Sequence, residues 1–548
     1  MRKKHFIRGL AWFTVIMGMI VLAMIIWYRA SVNIDQPVPA SEETYDFDRQ
    51  IINNKIYISD HGWLKHTTSG TWELYVEGDP FTRGYTYGLL AQELIENQET
   101  AFIDGIRKMI PSEFYLKTLR YFIAIFNRKL PDYVPMEYQE EISGISHYFS
   151  EEFDFIGPPY LRILNYHAAH DIGHALQNMN LVACTSFGVW DDASADSSMI
   201  IGRNFDFYVG DEFSKEKIIM FVKPDEGHAF MSIGWGGFIG VVSGMNDKGL
   251  TVTLNAAKSS IPFSARTPVS ILARDILQYA SNIDEALDIA KKYHTFVSES
   301  FLIGSAQDRR SALIEKTPDE TILFETGTNY IVVTNHFQAE AFTDDELNLE
   351  NMANGTSVYR FNRTKQLLDN RVPLDVEGAA KILRDYKGLN DQDIGLGNEK
   401  AVNQFIAHHS VIFKPEELKV WVSTPPYQLG EYIGYDLQQV FADGLRWHLN
   451  PQKIENIPAD AFLQNPVYHK LIKYKVLSEK ITEGQDGISG ADSLIIYNPE
   501  FFMTYRILGD YYHELGQSEK ANQYYRIALE KEAPSYALLE YVREKLEE

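Results

Sequence analysis

The chain has 548 residues and one cysteine, Cys184, set in the apolar run "NLVACTSFGVW". A single thiol excludes an internal disulfide and a thiolate-rich metal cage. Positive charge is also in short supply, with 51 Lys and Arg against 75 Asp and Glu, a net −24. So acidic a surface is poorly suited to gripping phosphate backbones, which excludes nucleic acid as a partner. Charge is missing altogether from residues 10–28, "LAWFTVIMGMIVLAMIIWY".

That uncharged run is about as long as the twenty apolar residues a bilayer core requires, and Trp27 and Tyr28 suit its far interface. Arg2, Lys3, Lys4 and Arg8 precede it, which keeps the basic end in the cytoplasm. The expectation is an N-terminal membrane anchor, with everything after Arg29 extracytoplasmic, periplasmic or extracellular. A signal peptide cleaved near "RAS" is the rival reading. A polar linker, "NIDQPVPASEET", follows.

Hydrophobic residues make up 45% of the chain, enough for a substantial core. Strand-like runs begin near Ile56 and lead into "GDPFTRGYTYG", where a turn opens a helix carrying Gly84 and Gly88. Two glycines four apart on one helical face permit close packing. Residues 90–180 follow a helical period. After Cys184 the chain is rich in strands, including a hairpin at "NDKG" (246–249), then helical, then again strand-rich. The pattern predicts an α+β protein with two antiparallel sheets covered by helices. In the tail, Tyr505, Leu508, Gly509, Tyr512, Ala521, Tyr525, Ala528 and Pro534 approach tetratricopeptide spacing, enough for one helical hairpin packed on its own protein. The divisions are 1–30 basic end and anchor, 31–55 linker, 56–183 a mostly helical segment, 184–450 the core and 451–548 a helical extension.

Four segments follow Cys184 in order: "GRNFDF" with Arg203 and Asp206, "GMNDKGLTVTLNAA" with Asn255, "VVTNHF" with Asn335, and "SVYRFNR" with Arg360 and Arg363. From about Leu74 to Tyr432 the set resembles the acyl-CoA:6-aminopenicillanic acid acyltransferase-like family. These are N-terminal nucleophile (Ntn) hydrolases with a cysteine nucleophile, related to choloylglycine hydrolases and acid ceramidase-type amidases. The resemblance implies an αββα sandwich and a precursor that cuts its own Ala183–Cys184 bond. The fragment before the cut stays attached as a partner. The chain has Ala before the cysteine, where the penicillin-type enzymes present Gly.

The chemistry can be stated without the family. A cysteine at a new chain end brings its own base, an α-amine of pKa about 8 whose neutral form takes the thiol proton. By resemblance, Arg203 is the cation beside the thiolate and Asp206 orients the amine. Asn255 and Asn335 stabilise the oxyanion, and Arg360 rather than Arg363 is the second arginine. A fixed oxyanion donor is typically worth roughly 3–4 kcal/mol. The spacing of Arg203 and Asp206 puts them on opposite faces of a strand, which calls for a bend or for backbone participation.

"YHAAHDIGHAL" sets His167, His170 and His174 on one helical face, passable for zinc but without the Glu of H-E-x-x-H; packing is the favoured reading. His336, His408 and His409 are candidate pocket residues, and His336 is the natural partner in a conventional Cys–His hydrolase. No cofactor or metal is implied. The expected activity is cleavage or exchange of a linear amide in a small acyl substrate through a Cys184 thioester. Hydrolysis, or transfer between amides, is favoured because acyl-CoA is not at hand outside the cytoplasm. A catalytically silent anchored protein, binding a partner through its tail, is the alternative.

Overall fold

The computed structural model describes residues 12–20, 22–24, 26–27, 34–38, 47–52, 55–110, 112–168, 171, 182–258, 265–451, 454–484 and 490–547. Residues 12–20 are helical and lie within the expected anchor. Most of its flanks, including 1–11 and 28–33, fall outside the described residues. Among the described residues no helix is long and apolar enough to cross a membrane.

The strands are β1 (Gln50–Ile52), β2 (Ile56–Ser59), β3 (Gly62–His66), β4 (Trp72–Gly78), β5 (Val182–Asp191), β6 (Ser197–Phe207), β7 (Ile218–Pro224), β8 (Phe230–Gly234) and β9 (Ser243–Asn246). Then come β10 (Leu250–Ala256), β11 (Glu299–Ser305), β12 (Arg310–Lys316), β13 (Thr321–Phe324), β14 (Tyr330–Val333), β15 (His409–Lys414), β16 (Lys419–Ser423) and β17 (Tyr432–Asp436). Among the described residues they form an eleven-stranded sheet, β1-β2-β3-β4-β7-β8-β9-β10-β11-β12-β13, and a six-stranded sheet, β14-β5-β6-β15-β16-β17. Pairing is antiparallel except between β4 and β7, where the segment before Cys184 joins the large sheet.

Side-chain alternation defines the layers. Ile201, Leu302, Leu313, Val411 and Phe413 face one another between the sheets. Phe187, Val189, Ile200 and Ile412 face outward onto helices α8 (Ser357–Asp369) and α9 (Val376–Leu383), meeting Leu367, Leu368, Ile382 and Leu383. On the far side of the large sheet, Val252, Leu254 and Ile303 meet α1 (Pro80–Met109), α3 (Met136–Ser146), α4 (Pro159–His167) and α5 (Val269–Tyr279). The order is therefore helix, sheet, sheet, helix, within the expected α+β class. Between α1 and α3 in the chain lies α2 (Glu113–Phe126), and α6 (Ile283–Lys292) and α7 (Glu346–Asn354) are further helices of the body.

The glycines of "GDPFTRGYTYG" show what the close packing is for. A Cβ on Gly84 would stand 1.9 Å from the Glu141 carbonyl oxygen, so α1 and α3 touch backbone to backbone. At "NDKG", Gly249 has φ +71, the left-handed conformation the β9–β10 turn requires. In the tail, Phe502–Glu514 and Ser518–Ala528 form a helical hairpin, with Gly509 against the Tyr525 ring. It packs back on the body through paired hydrogen bonds between Asn498 and Leu396, at 3.1 and 2.8 Å.

Candidate functional site

Cys184 is the third residue of β5 and lies buried, directly opposite Phe205 of β6 in the ladder. The next inward residue, Ser186, donates to Asn255 Oδ1 of the large sheet at 2.8 Å, so the thiol sits at one end of the seam between sheets. Arg203 pairs with Ser186 across the ladder, and its Nη2 lies 3.3 Å from the Cys184 Sγ. The guanidinium is held by the carbonyls of Val242 (2.6 Å) and Leu254 and by the Ser243 hydroxyl. It also lies over the Phe205 ring, 4.6 Å from its centroid. Burial lifts the thiol above its ordinary pKa, and Arg203 opposes this only in part.

Asp206 is on the opposite face of β6 from Arg203, as the spacing requires. The register sets Asp206 opposite Ala183, the residue before the expected cut. The carboxyl is fully buried, and neither oxygen has a hydrogen-bond partner among the described residues. Burial pushes its pKa up to about 7 despite the pull of Arg360 and Arg203. An unpartnered buried carboxyl carries a large desolvation cost, so it calls for a cation.

Asn335 follows β14 and is hydrogen-bonded through each of its polar groups. Its Oδ1 accepts from the Cys184 backbone N–H at 2.9 Å and from Arg360 Nη2 at 2.6 Å. Its Nδ2 donates to the Ala256 carbonyl at 2.8 Å, its N–H to Ser357 Oγ at 2.7 Å, and its carbonyl accepts from Asn351. Arg360, from the first turns of α8, also donates to the Cys184 carbonyl and to Thr185 Oγ1 at 3.0 Å. Arg363 lies elsewhere, on Asp385 and Asp391, which separates the two arginines. Asn255 Nδ2 donates to the Val333 carbonyl at 3.4 Å. In the uncut chain the amides of Asn255 and Asn335 thus each give one N–H to a backbone carbonyl.

Two residues with no motif of their own complete the surroundings. His409 Nε2 is 2.8 Å from Ser243 Oγ, and His409 and His408 meet through their Nδ1 atoms at 3.0 Å. Arg203 can only donate, so Ser243 Oγ accepts from it and keeps a second lone pair and its own proton for the contact with His409 Nε2. Burial keeps both rings neutral, well below the ordinary histidine pKa, with Lys217 and Arg203 acting the same way. The sequence offers no sign of this chain, because it joins residues more than a hundred and sixty positions apart.

His336 is not engaged with the thiol: its Nδ1 lies 2.8 Å from Ser357 Oγ, at the start of α8. Burial and Arg360 bring its pKa down to about 4. His167 accepts from the Ile239 N–H at 3.0 Å and bonds the Ile163 carbonyl at 2.8 Å, so both ring nitrogens serve the fold. His170 and His174 lie outside the described residues. Beside His167 is a cavity of about 40 Å³ lined by Phe102, Phe207, Phe213, Trp235 and Phe238. Phe207 stacks at 5.7 Å on Phe205, the residue opposite Cys184, which brings an apolar wall to within one ring of the thiol.

Residues 193–425 match the model of the family described as acyl-coenzyme A:6-aminopenicillanic acid acyl-transferase. The chain is thereby similar to an acyltransferase family over its central part, as the motifs suggested. An uncharacterised protein of Archaeoglobus fulgidus is 25% identical over 401 residues, 66% of this chain and 64% of the relative. Protein dcd1B of Dictyostelium discoideum is 23% identical over 277 residues, 47% of this chain and 52% of its own length. The chain thus spans about half to two thirds of the curated relatives it matches. Among solved structures, an N-acylethanolamine-hydrolyzing acid amidase ortholog of Caenorhabditis elegans is 17% identical with a TM-score of 0.31, over 48% of this chain and 97% of that one. A mutant of the conjugated bile acid hydrolase of Clostridium perfringens is 13% identical with a TM-score of 0.32, over 48% and 94%.

Proposed function

We propose that the protein is a self-processing cysteine amidase or acyltransferase of the Ntn type. In the first step the Cys184 thiol attacks the Ala183 carbonyl carbon. The peptide C–N bond breaks, the nitrogen takes a proton, and the acyl group moves to sulfur. Water then cleaves that thioester, leaving an Ala183 carboxylate and a Cys184 with both free thiol and free amine. In turnover the amine takes the thiol proton, and Sγ attacks the carbonyl of a linear amide. The leaving amine departs protonated, and the acyl group passes from sulfur to water or to a second amine. Arg203 steadies the thiolate.

The observation that carries this reading is the buried Asp206 carboxyl, unpartnered among the described residues and opposite Ala183. Cutting the Ala183–Cys184 bond creates an ammonium beside it. Supporting it, Asn335 already holds the Cys184 nitrogen. A Cys–His dyad is disfavoured by the commitment of His336 to Ser357. In the same reading, residues 10–28 anchor the protein with its catalytic part outside the cytoplasm.

The test is intact mass and N-terminal sequencing of the purified protein beside Cys184→Ala. A fragment that starts at Cys184 in the wild type and is missing from the variant is expected. An uncut chain in both refutes the N-terminal-amine mechanism.

A further inference from the structure

One surface helix is apolar on the side it shows to water. In α2, Phe114 is 82% exposed, Phe122 63%, Tyr115 55% and Tyr121 47%. At 100° per residue these four fall within about a third of the helix circumference, so they form one stripe rather than scattered contacts. Single exposed apolar side chains are ordinary, but four large rings on one face of one helix are not. The inner side of the helix is fixed where Phe126 meets Phe296 at 5.4 Å, while Arg120, at the edge of the stripe, donates to Tyr121 Oη at 2.7 Å and to the Phe155 carbonyl. Phe155, itself half exposed, extends the apolar area.

The charge around the stripe has the sign that the rest of the chain lacks. Residues 113–129, "EFYLKTLRYFIAIFNRK", which are α2 and the turn after it, hold Lys117, Arg120, Arg128 and Lys129 against one carboxylate, Glu113, in a chain of net charge −24. The acids of 151–154 lie on the neighbouring turn and pair partly with Arg162. A helix with an aromatic face flanked by Lys and Arg fits the boundary between acyl chains and anionic headgroups. A second copy of this chain fits worse, because it would set the same cations against each other. We infer that α2 docks on an anionic lipid surface, its aromatic stripe entering the interface and the cations of the helix and the turn after it meeting the headgroups. This surface does not depend on the proposed reaction, so each can fail without the other.

The test uses the full chain carrying Phe122→Cys labelled with an environment-sensitive fluorophore; the native thiol is buried, and unsubstituted protein serves as the labelling blank. Thr68→Cys, at an exposed turn, is the control. The expected result is a blue shift and brightening at position 122 on addition of phosphatidylglycerol vesicles, weakened by high salt. Phosphatidylcholine vesicles give little change, and the control gives none. No shift with phosphatidylglycerol, an equal shift with phosphatidylcholine, or an equal shift at position 68 overturns the proposal. A shift that grows with protein concentration without vesicles also overturns it and gives the face to a second copy.

Discussion

Asp206 stands out among the residues as a fully buried carboxyl with no hydrogen-bond partner among the described residues. In the uncut chain its carboxyl titrates near pH 7, against an ordinary value near 4. Between those values the folded protein holds a proton that the unfolded chain has lost, so stability falls as pH rises through this window. In uncut Cys184→Ala protein, Asp206→Asn is therefore expected to stabilise at pH 8 by up to a few kcal/mol. At pH 4 it should change little. Urea titrations at the two pH values check this; an equal effect at both means the carboxyl is not strained. Arg203 gives a second residue-level prediction. Lysine cannot reach Val242, Leu254, Ser243 and the thiol together, because it lacks the planar fork. Arg203→Lys should slow self-cleavage about 100-fold, the scale of losing one preorganised charge partner. Timed intact-mass measurements would read it. Cys184 itself was legible because a sole thiol preceded four ordered motifs. Ser243 was not, and His409 could be named only as a candidate pocket residue, since only the stacking of two sheets brings them to Arg203.

Among the elements, the helical layer depends on a buried ion network. Arg83 of α1 donates to Glu141 of α3 at 2.7 Å, and Arg274 of α5 reaches the same oxygen at 3.2 Å. Burial alone would raise the Glu141 pKa, but Arg274 and Arg83 outweigh it and hold the carboxyl below its ordinary range. A depressed carboxyl contributes stability above its unfolded pKa, and the contribution is lost as pH falls through the folded value. Removing one arginine leaves a buried charge short of its partner, so Arg83→Met should cost about 3–5 kcal/mol at neutral pH. That cost should shrink in acid, and urea midpoints at pH 7 and pH 4 would show it. The sequence marked Gly84 and Gly88 as sites of close packing, yet it could not name α3 as what they touch. Helical period is a local signal, whereas the partner of a helix face is settled by the whole fold. Likewise the strands were legible by alternation, but the parallel β4–β7 joint, which unites segments separated by some hundred and forty residues, was not.

At the scale of the whole molecule, the expected cut falls inside β5, yet what lies on either side of it is built into one body. β4, from before the cut, pairs with β7, from after it, over seven residues from Trp72↔Ile218 to Gly78↔Pro224. Leu90, Ile142 and Ile163 from the first part share a core with Val252, Ile271 and Ile303 from the second. Breaking one covalent bond removes none of these contacts; it frees only the short ladder of Val182 and Ala183 with Phe207 and Asp206. Separating the parts would expose one face of a sheet and leave β7 an open edge, a state prone to aggregation. The processed protein should therefore elute in native size exclusion as one species containing both fragments, and part only in denaturant. Native elution as two species would mean that the shared core is not what holds the fragments together. The catalytic chain would then need another way to cover the sheet beside Cys184, and the aromatic wall shared by Phe102 of the first fragment and Phe207 of the second would be lost with it.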